Sequence, residues 1–413
     1  MLSAQVEVVL ARNLLLYRAE SVWRVAANPG GGQLRGRVLS SDGAPLSGAS
    51  VLAAGPDGQT FTAESDASGA YTLSLPGGSF VPLATSAGYD DATLRAGPFR
   101  RTLFVMPGTT TQADFVLSRT VPPVQSADRS IQFGDEVIVH SDIAPSGSAV
   151  LFDVRRRGFT FWRAGALLGG SYVYEPSVGG AYPALLFIYP CWLYPCSTIG
   201  WDLLSTTMAA QGFVVVTFAP QRGADLEADM DDVLALIAHI KAGQLSALAD
   251  TSRLALLGGS LTSLHVWRVA QLAPPGALRG IVVLGGISDL FLIRQRFESH
   301  LLLLEPPFDV PLSTALIGLG RPNLNPELYA RYSPVYHLDA LPRVPLALIH
   351  GGGDKTVPFE QSPHFAERLR AHSIAHELYL YPNQEHYLDL ENINDDERDM
   401  LAKVVGFLQA ALR

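Results

Sequence analysis

Three residues on separate stretches of the chain have the types that nucleophilic acyl chemistry requires: Ser260, Asp354 and His386. Hydrolysis at a carbonyl by a serine needs a nucleophile with a base in reach, a group that orients the base, and donors for the oxyanion. Ser260 stands in Gly258-Gly-Ser-Leu-Thr262, after the apolar run Arg253–Leu257 and before the helical pattern Leu264–Leu272. A strand-turn-helix elbow needs small residues, because the serine backbone is strained and the flanking strand and helix approach closely. Gly258 and Gly259 supply them upstream, whereas Thr262 stands where a second glycine or alanine is usual. Taken alone, the stretch fits equally well a serine that caps the following helix.

Asp354 follows three glycines in His350-Gly-Gly-Gly-Asp354, past the apolar run Leu346–Ile349. A carboxylate there can accept from an imidazole and fix its tautomer; it can also cap a helix beginning near Pro358. His386 follows the expected strand Glu377–Tyr381 in Tyr381-Pro-Asn-Gln-Glu-His386, and the plain alternative is a solvated loop histidine. On a doubly wound sheet, such groups must sit on loops at the carboxyl ends of strands. All three fit that placement, and Ser, Asp, His is a chain order that serine triads use on such sheets.

The elements that must hold these loops are legible as pattern. Ala184–Tyr189, Phe213–Phe218, Leu254–Leu257, Ile281–Leu284 and Leu346–Ile349 are short and continuously apolar, as strands buried on both faces read. Between them, Leu226, Met230, Val233, Leu234, Ile237 and Ile240 form a helical stripe over Leu226–Lys241. Asp225, Glu227, Asp229, Asp231 and Asp232 crowd its first turns, where the helix dipole favours negative charge. This alternation predicts an α/β fold with a doubly wound, mostly parallel sheet. Residues from about Ile131 to Tyr174 read as antiparallel strands extending its edge.

The region from Gln33 to Thr120 has a different texture. Asp42-Gly43, Asp57-Gly58, Ser68-Gly69 and Gly77-Gly78 punctuate the β-rich runs Leu34–Leu39, Ala49–Ala54, Thr60–Glu64, Ala70–Leu75, Phe80–Ser86 and Ala113–Leu117. Alternation in Tyr71-Thr-Leu-Ser-Leu75 places Tyr71, Leu73 and Leu75 on one face. Such spacing predicts a small antiparallel sandwich, with Tyr71 and Val51 in its core. The residues Gly36-Arg-Val38, Asp42-Gly-Ala-Pro-Leu-Ser-Gly-Ala-Ser-Val51, Ser65-Asp-Ala-Ser-Gly-Ala-Tyr-Thr-Leu73 and Gly88-Tyr89 resemble the carboxypeptidase regulatory-like domains. The resemblance implies a transthyretin-like sandwich that is a structural or binding accessory. The expected organisation is therefore an N-terminal segment 1–32 that includes possible strands at Val6–Ala11 and Val22–Ala26, an all-β sandwich over 33–120, and a catalytic domain over 121–413. Thr120-Val-Pro-Pro-Val-Gln125 reads as a stiff linker, and 287–340, rich in Leu, Pro and aromatics, as a small cap in which Leu301–Leu304 could line an acyl pocket.

The catalytic region resembles α/β-hydrolases, and within them the prolyl-oligopeptidase-like family and related esterases. The resemblance rests on Tyr182-Pro-Ala-Leu-Leu-Phe-Ile-Tyr-Pro190, Gln211-Gly-Phe-Val-Val-Val216, Arg222-Gly223 and Gly258-Gly-Ser260, and most of all on Tyr332-Ser-Pro-Val335, Pro345–Pro358 and Tyr381–His386. It implies Ser260 as nucleophile, His386 as general base and acid, and Asp354 as its orienter, with Asp289 a second candidate for the acid. The backbone N–H of Leu261 is expected to be one oxyanion donor. The other belongs to the loop after Ile188, where many relatives carry His-Gly-Gly or Tyr-Gly-Gly but this chain has Tyr189-Pro-Cys-Trp-Leu-Tyr-Pro-Cys196. Pro190 has no N–H, which leaves the backbone of Cys191 or Trp192, or the Tyr189 hydroxyl. Trp192 and Tyr194 could wall an apolar or aromatic substrate or simply pack in the core. His265 is expected to be packed, and Asn383 and Glu385 to adjust the loop of His386.

Composition narrows the function classes. With 413 residues, 48% hydrophobic and 17% charged, the chain can bury large cores. A net charge of −9 without a Lys/Arg cluster disfavours nucleic acid, and Arg155-Arg-Arg157 reads as a solvated strand edge. No apolar segment has the length of a membrane span; Ala184 to Cys196 is short and interrupted by Pro190 and Pro195. Two cysteines, Cys191 and Cys196, make neither a disulfide framework nor a zinc site, and a local bridge or two free thiols are equally open. Neither metal nor organic cofactor is expected. Met1 to Ala27 lacks a clean signal-peptide core, so the chain is expected to be cytoplasmic or to lack its export signal, although the company such sandwiches keep points to the cell envelope or secretion. The expected activity is serine hydrolysis of small or polymeric carboxylic esters. The alternatives are an acylaminoacyl- or dipeptidyl-peptidase-like serine peptidase and a non-catalytic binding protein on the same fold; a homo-oligomer is compatible with all three. Relatives that cleave peptides usually carry a β-propeller, and here a sandwich stands in its place, which favours the esterase.

Overall fold

The structure, a computed structural model, describes residues 3–11, 14–22, 31–120, 129–145, 151–189, 201–220, 226–299, 319–386 and 388–413. The chain packs as two compact units: Met1–Thr120 with Phe291–Arg331, and Val121–Leu290 with Tyr332–Arg413. The linker residues 121–125 lie outside the described residues.

In the first unit, Ser3–Ala11 and Leu14–Val22 form an antiparallel hairpin. The strand expected at Val22–Ala26 falls mostly outside the described residues. The sandwich packs Leu34, Val38, Val51, Tyr71, Leu73 and Phe115 in one core, and the Tyr71 hydroxyl donates to the Ala113 carbonyl at 2.7 Å. Its pairing is not wholly antiparallel. Thr110–Gln112 and Phe115–Leu117 both run parallel to Gly32–Ser40, because the chain returns to that strand only after a long excursion through the other strands. The single run expected at Phe80–Ser86 is split. Gly78–Phe80 pairs with Leu103–Val105, and Leu83–Thr85 pairs with Ser50–Ala54. Pro82, which cannot donate to a ladder, stands at the break. Residues 291–331, expected as part of a cap, group with the sandwich, where Val81 N–H donates to the Asn323 carbonyl at 2.9 Å and Arg100 pairs with Glu327. Leu301–Leu304 lie outside the described residues.

The second unit is built on a nine-stranded sheet. Arg129–Val139, Val154–Arg163 and Ala166–Pro176 form its antiparallel edge. Val214–Phe218, Tyr182–Ile188, Ala249–Gly259, Gly280–Leu284, Leu346–Gly351 and His376–Tyr381 follow in that spatial order, parallel to one another. Alternate residues face opposite cores. Leu254 and Leu256 pack with Met230, Val233, Val266 and Phe365 on one side; Ala255 and Leu257 pack with Met208, Leu401 and Val404 on the other. Helices Leu226–Lys241, Ser263–Leu272 and Gln361–Ala371 thus cover one face, and Trp201–Ala210 and Asp395–Ala411 the other. This is the α/β-hydrolase sheet, covered on both faces as its unbroken apolar runs require.

Two of the acidic residues at the start of Leu226–Lys241 do more than answer the helix dipole. Buried Asp232 accepts from Arg129 Nε at 2.9 Å, and buried Asp229 lies 3.6 Å from Nε2 of His265. His265 is itself buried, as expected for a packed residue.

Candidate active site

The strand Ala249–Gly259 ends in extended backbone at Gly259 (φ −167°, ψ 176°), and Ser260 then turns to φ +50°. A non-glycine residue in the left-handed region is strained, and the surroundings hold it there. A Cβ on Gly259 would stand 2.3 Å from the Leu284 carbonyl, so only glycine lets the turn lie against the next strand. Ser263 Oγ donates to the Ser260 carbonyl at 2.6 Å and accepts from Ile287 N–H at 2.7 Å. Buried Thr262 fills the position usually given to a small residue. Its Oγ1 is 2.8 Å from the carbonyls of both Gly259 and Ile188, tying the elbow to the neighbouring strand.

His386 Nε2 lies 2.9 Å from Ser260 Oγ, and its Nδ1 lies 2.6 Å from Asp354 Oδ2. The other carboxylate oxygen of Asp354 accepts from the N–H groups of Thr356 and Val357, each at 2.8 Å. The side chain therefore both caps its own loop and meets the imidazole. Burial alone would raise the Asp354 carboxyl, but hydrogen bonds from His350 and His386 outweigh it and hold the carboxyl at about 2. Asp354 is thus an anion that only accepts, which puts the proton of His386 on Nδ1 and leaves Nε2 free to accept from the Ser260 hydroxyl.

Residues 33–118 match the model of the carboxypeptidase regulatory-like domain, and residues 222–413, which contain Ser260, Asp354 and His386, match that of the prolyl oligopeptidase family. Residues 222–413 thus carry an α/β-hydrolase domain of the prolyl oligopeptidase type. The match supports a serine hydrolase. Solved structures similar to the chain include esterase B of Lactobacillus rhamnosis, at 12% identity over 69% of this chain and 88% of that one, with a TM-score of 0.46. Carboxyl esterase 2 of the mycorrhizal fungus Tuber melanosporum is 13% identical over 70% and 88%, with a TM-score of 0.49. A bacterial heroin esterase is 16% identical over 70% and 86%, with a TM-score of 0.48. These likenesses do not bear on substrate. No curated protein matches the chain.

The Leu261 amide, next after Ser260 in the short 3-10 turn, has no acceptor among the described residues. Tyr189 sits differently from expectation. Its hydroxyl is engaged by Thr217 and Ser171, and its N–H donates to the Phe218 carbonyl at 3.0 Å. Its ring packs between Phe187 and Trp201. Its N–H is thus committed within the core. Cys191, Trp192, Tyr194, Cys196 and the Arg222-Gly223 pair lie outside the described residues. The carboxylate on His386 Nδ1 is that of Asp354, while the Asp289 carboxylate accepts from the Tyr336 hydroxyl at 3.1 Å and Gln361 brackets its backbone.

Sequence reasoning passed over three supporting residues. Gly285, at φ +49°, lies under the acid–base hydrogen bond, where an added Cβ would stand 3.3 Å from Asp354 Oδ2 and 3.5 Å from His386 Nδ1. Asn383 and Glu385 are exposed, and the residue that anchors the histidine loop is Gln384 between them, buried and donating to Glu397 Oε1 at 3.2 Å. His350 also touches Asp354. The unbroken Gly-Gly at 285–286 after an apolar run was the available signal for the first; nothing local marks the others. No helix among the described residues is long and apolar enough to cross a membrane.

Proposed function

We propose that the protein is a serine esterase that cleaves carboxylic esters through an acyl-enzyme on Ser260. The observation that carries this reading is the continuous path from Ser260 Oγ through His386 to Asp354, at 2.9 and 2.6 Å, with Ser260 held at φ +50°. Ser260 Oγ attacks the ester carbonyl as its proton passes to His386 Nε2, and the imidazolium is stabilised by the Asp354 anion. The tetrahedral oxyanion takes the Leu261 N–H as one donor. Collapse breaks the C–O bond, and His386 returns the proton to the leaving alcohol. Water then enters and loses a proton to the same Nε2; the acyl C–O bond to Ser260 breaks, His386 returns that proton to Ser260 Oγ, and the acid leaves.

The family match favours a second reading, a serine peptidase working by the same steps on an amide. The presence of a β-sandwich over residues 33–118, where a propeller is usual among peptide-cleaving relatives, supports the ester. Turnover of p-nitrophenyl acyl esters, set against aminoacyl anilides, separates the two. Ester turnover that rises with a particular acyl length is the expected result, and anilide turnover with inert esters would replace this reading with the peptidase.

A further inference from the structure

His350 is the penultimate residue of the strand Leu346–Gly351 and is wholly buried. Its Nε2 is 3.1 Å from Asp354 Oδ2 and 3.1 Å from the Val357 carbonyl. Both neighbours only accept, so Nε2 carries the ring proton. With a single ring proton on Nε2, Nδ1 is the acceptor for the Ser362 hydroxyl, which lies 2.7 Å away. Both ends of the ring are fixed, in the tautomer opposite to that of His386.

Asp354 therefore receives four donors: two amides on Oδ1, and the imidazoles of His350 and His386 together on Oδ2. This saturates a carboxylate, so the side chain cannot turn away from His386. It also divides the charge on Oδ2 between two imidazoles. The more of that charge His350 takes, the less remains to stabilise an imidazolium at His386.

We infer that His350, its tautomer set by Ser362, is a positioning residue that acts through Asp354 to fix the geometry and limit the basicity of His386. The inference rests on the triad reading above. The groups facing this pair can be named element by element. The acid loop contributes Asp354 and exposed Lys355. The histidine loop contributes His386 and exposed Glu385, and the elbow contributes Ser260. The loop after Gly280–Leu284 presents Gly285, while Asp289 there is bonded to Tyr336. The helix Gln361–Ala371 brings Ser362, and its His364 lies 3.8 Å from Asp289.

The test is the pH dependence of Ser260 phosphonylation by a fluorophosphonate in the full chain, which needs no knowledge of the natural substrate. His350→Phe removes the second imidazole donor, leaving more negative charge for His386 and favouring its protonated form. The acidic limb of the rate profile should move up by about one pH unit, roughly a tenfold slower reaction at a fixed pH below it. His350→Gln, whose amide can donate to Oδ2, should return the limb towards wild type, and Ser362→Ala should move it up by less. A limb in His350→Phe that coincides with wild type, even at a lower plateau, would overturn the inference. Nitrogen-15 NMR of the wild-type protein requires neither folded variants nor activity. Protonated Nε2 and unprotonated Nδ1 at His350 are expected, and the reverse tautomer would overturn it. Unlabelled wild-type Ser260 would instead sink the triad reading, with the NMR result still standing on its own.

Discussion

The hydroxyl of Thr262 joins the turn at Ser260 to the strand beside it: its Oγ1 lies 2.8 Å from the Ile188 carbonyl, and the residue is 1% exposed. Ile188 is the last residue of Tyr182–Ile188 and pairs with Gly258. Glycine or alanine at this position would remove the hydroxyl that the Ile188 and Gly259 carbonyls share. The residue that departs from the usual elbow pattern thus cross-links the two strands that flank the site.

Thr262→Val should keep the shape and lose the bond. Stranding a buried acceptor costs about 1–3 kcal/mol, so the urea midpoint should fall with little change in slope. Thr262→Ser, which keeps the hydroxyl, should stay nearer to wild type. Equal midpoints for Val and wild type would show that the hydroxyl does nothing for the fold.

Gly285→Ala should damage activity more than stability. An alanine at φ +49° pays about 1–2 kcal/mol for a left-handed backbone. Its Cβ also presses at 3.3 Å on the oxygen that orients His386. A fall in kcat of about tenfold or more is expected, with secondary structure by circular dichroism unchanged. Wild-type kcat in this variant would mean that the acid–base pair has room to spare.

The depressed carboxyl of Asp354 makes a signed prediction about acid. Its folded value is about 2 against an ordinary 3.8, so the folded state binds its proton less readily than the unfolded chain. The stabilisation is complete above about pH 4 and is lost as pH falls towards 2, about 2 kcal/mol in all. Asp354→Asn lacks this dependence. The stability difference between wild type and Asp354→Asn, measured by denaturant melts, should shrink from pH 5 to pH 2. A difference that stays constant across that range would contradict the assignment.

Much of the fold and the site was readable from residue types, for a physical reason. Strands buried on both faces must be unbroken apolar runs, and the stripe from Leu226 to Ile240 marks a helix because only period 3.6 aligns it. Ser260 and Asp354 stood out as candidates because each follows such a strand, and His386 because it follows the half-buried edge strand His376–Tyr381. What escaped depends on partners distant in the chain. The Thr262 hydroxyl meets a carbonyl 74 residues away, and Asp232 finds Arg129 across 103, so local reading saw only an irregular elbow and a dipole. His350 read only as the first residue of the loop after Leu346–Ile349, because its contacts are with Ser362 on the following helix and Asp354 on the loop. The parallel pairing of Phe115–Leu117 was hidden because alternation gives a strand its faces but not its direction.

Ser260 is the residue on which the esterase activity stands or falls. The measurement is hydrolysis of a p-nitrophenyl acyl ester by wild type and by purified, folded Ser260→Ala, together with the site of fluorophosphonate attachment by mass spectrometry. Wild type should turn over and carry the phosphonate on Ser260, and the variant should lose about a million-fold in kcat. Turnover undiminished in Ser260→Ala, or a label on another residue, would contradict it.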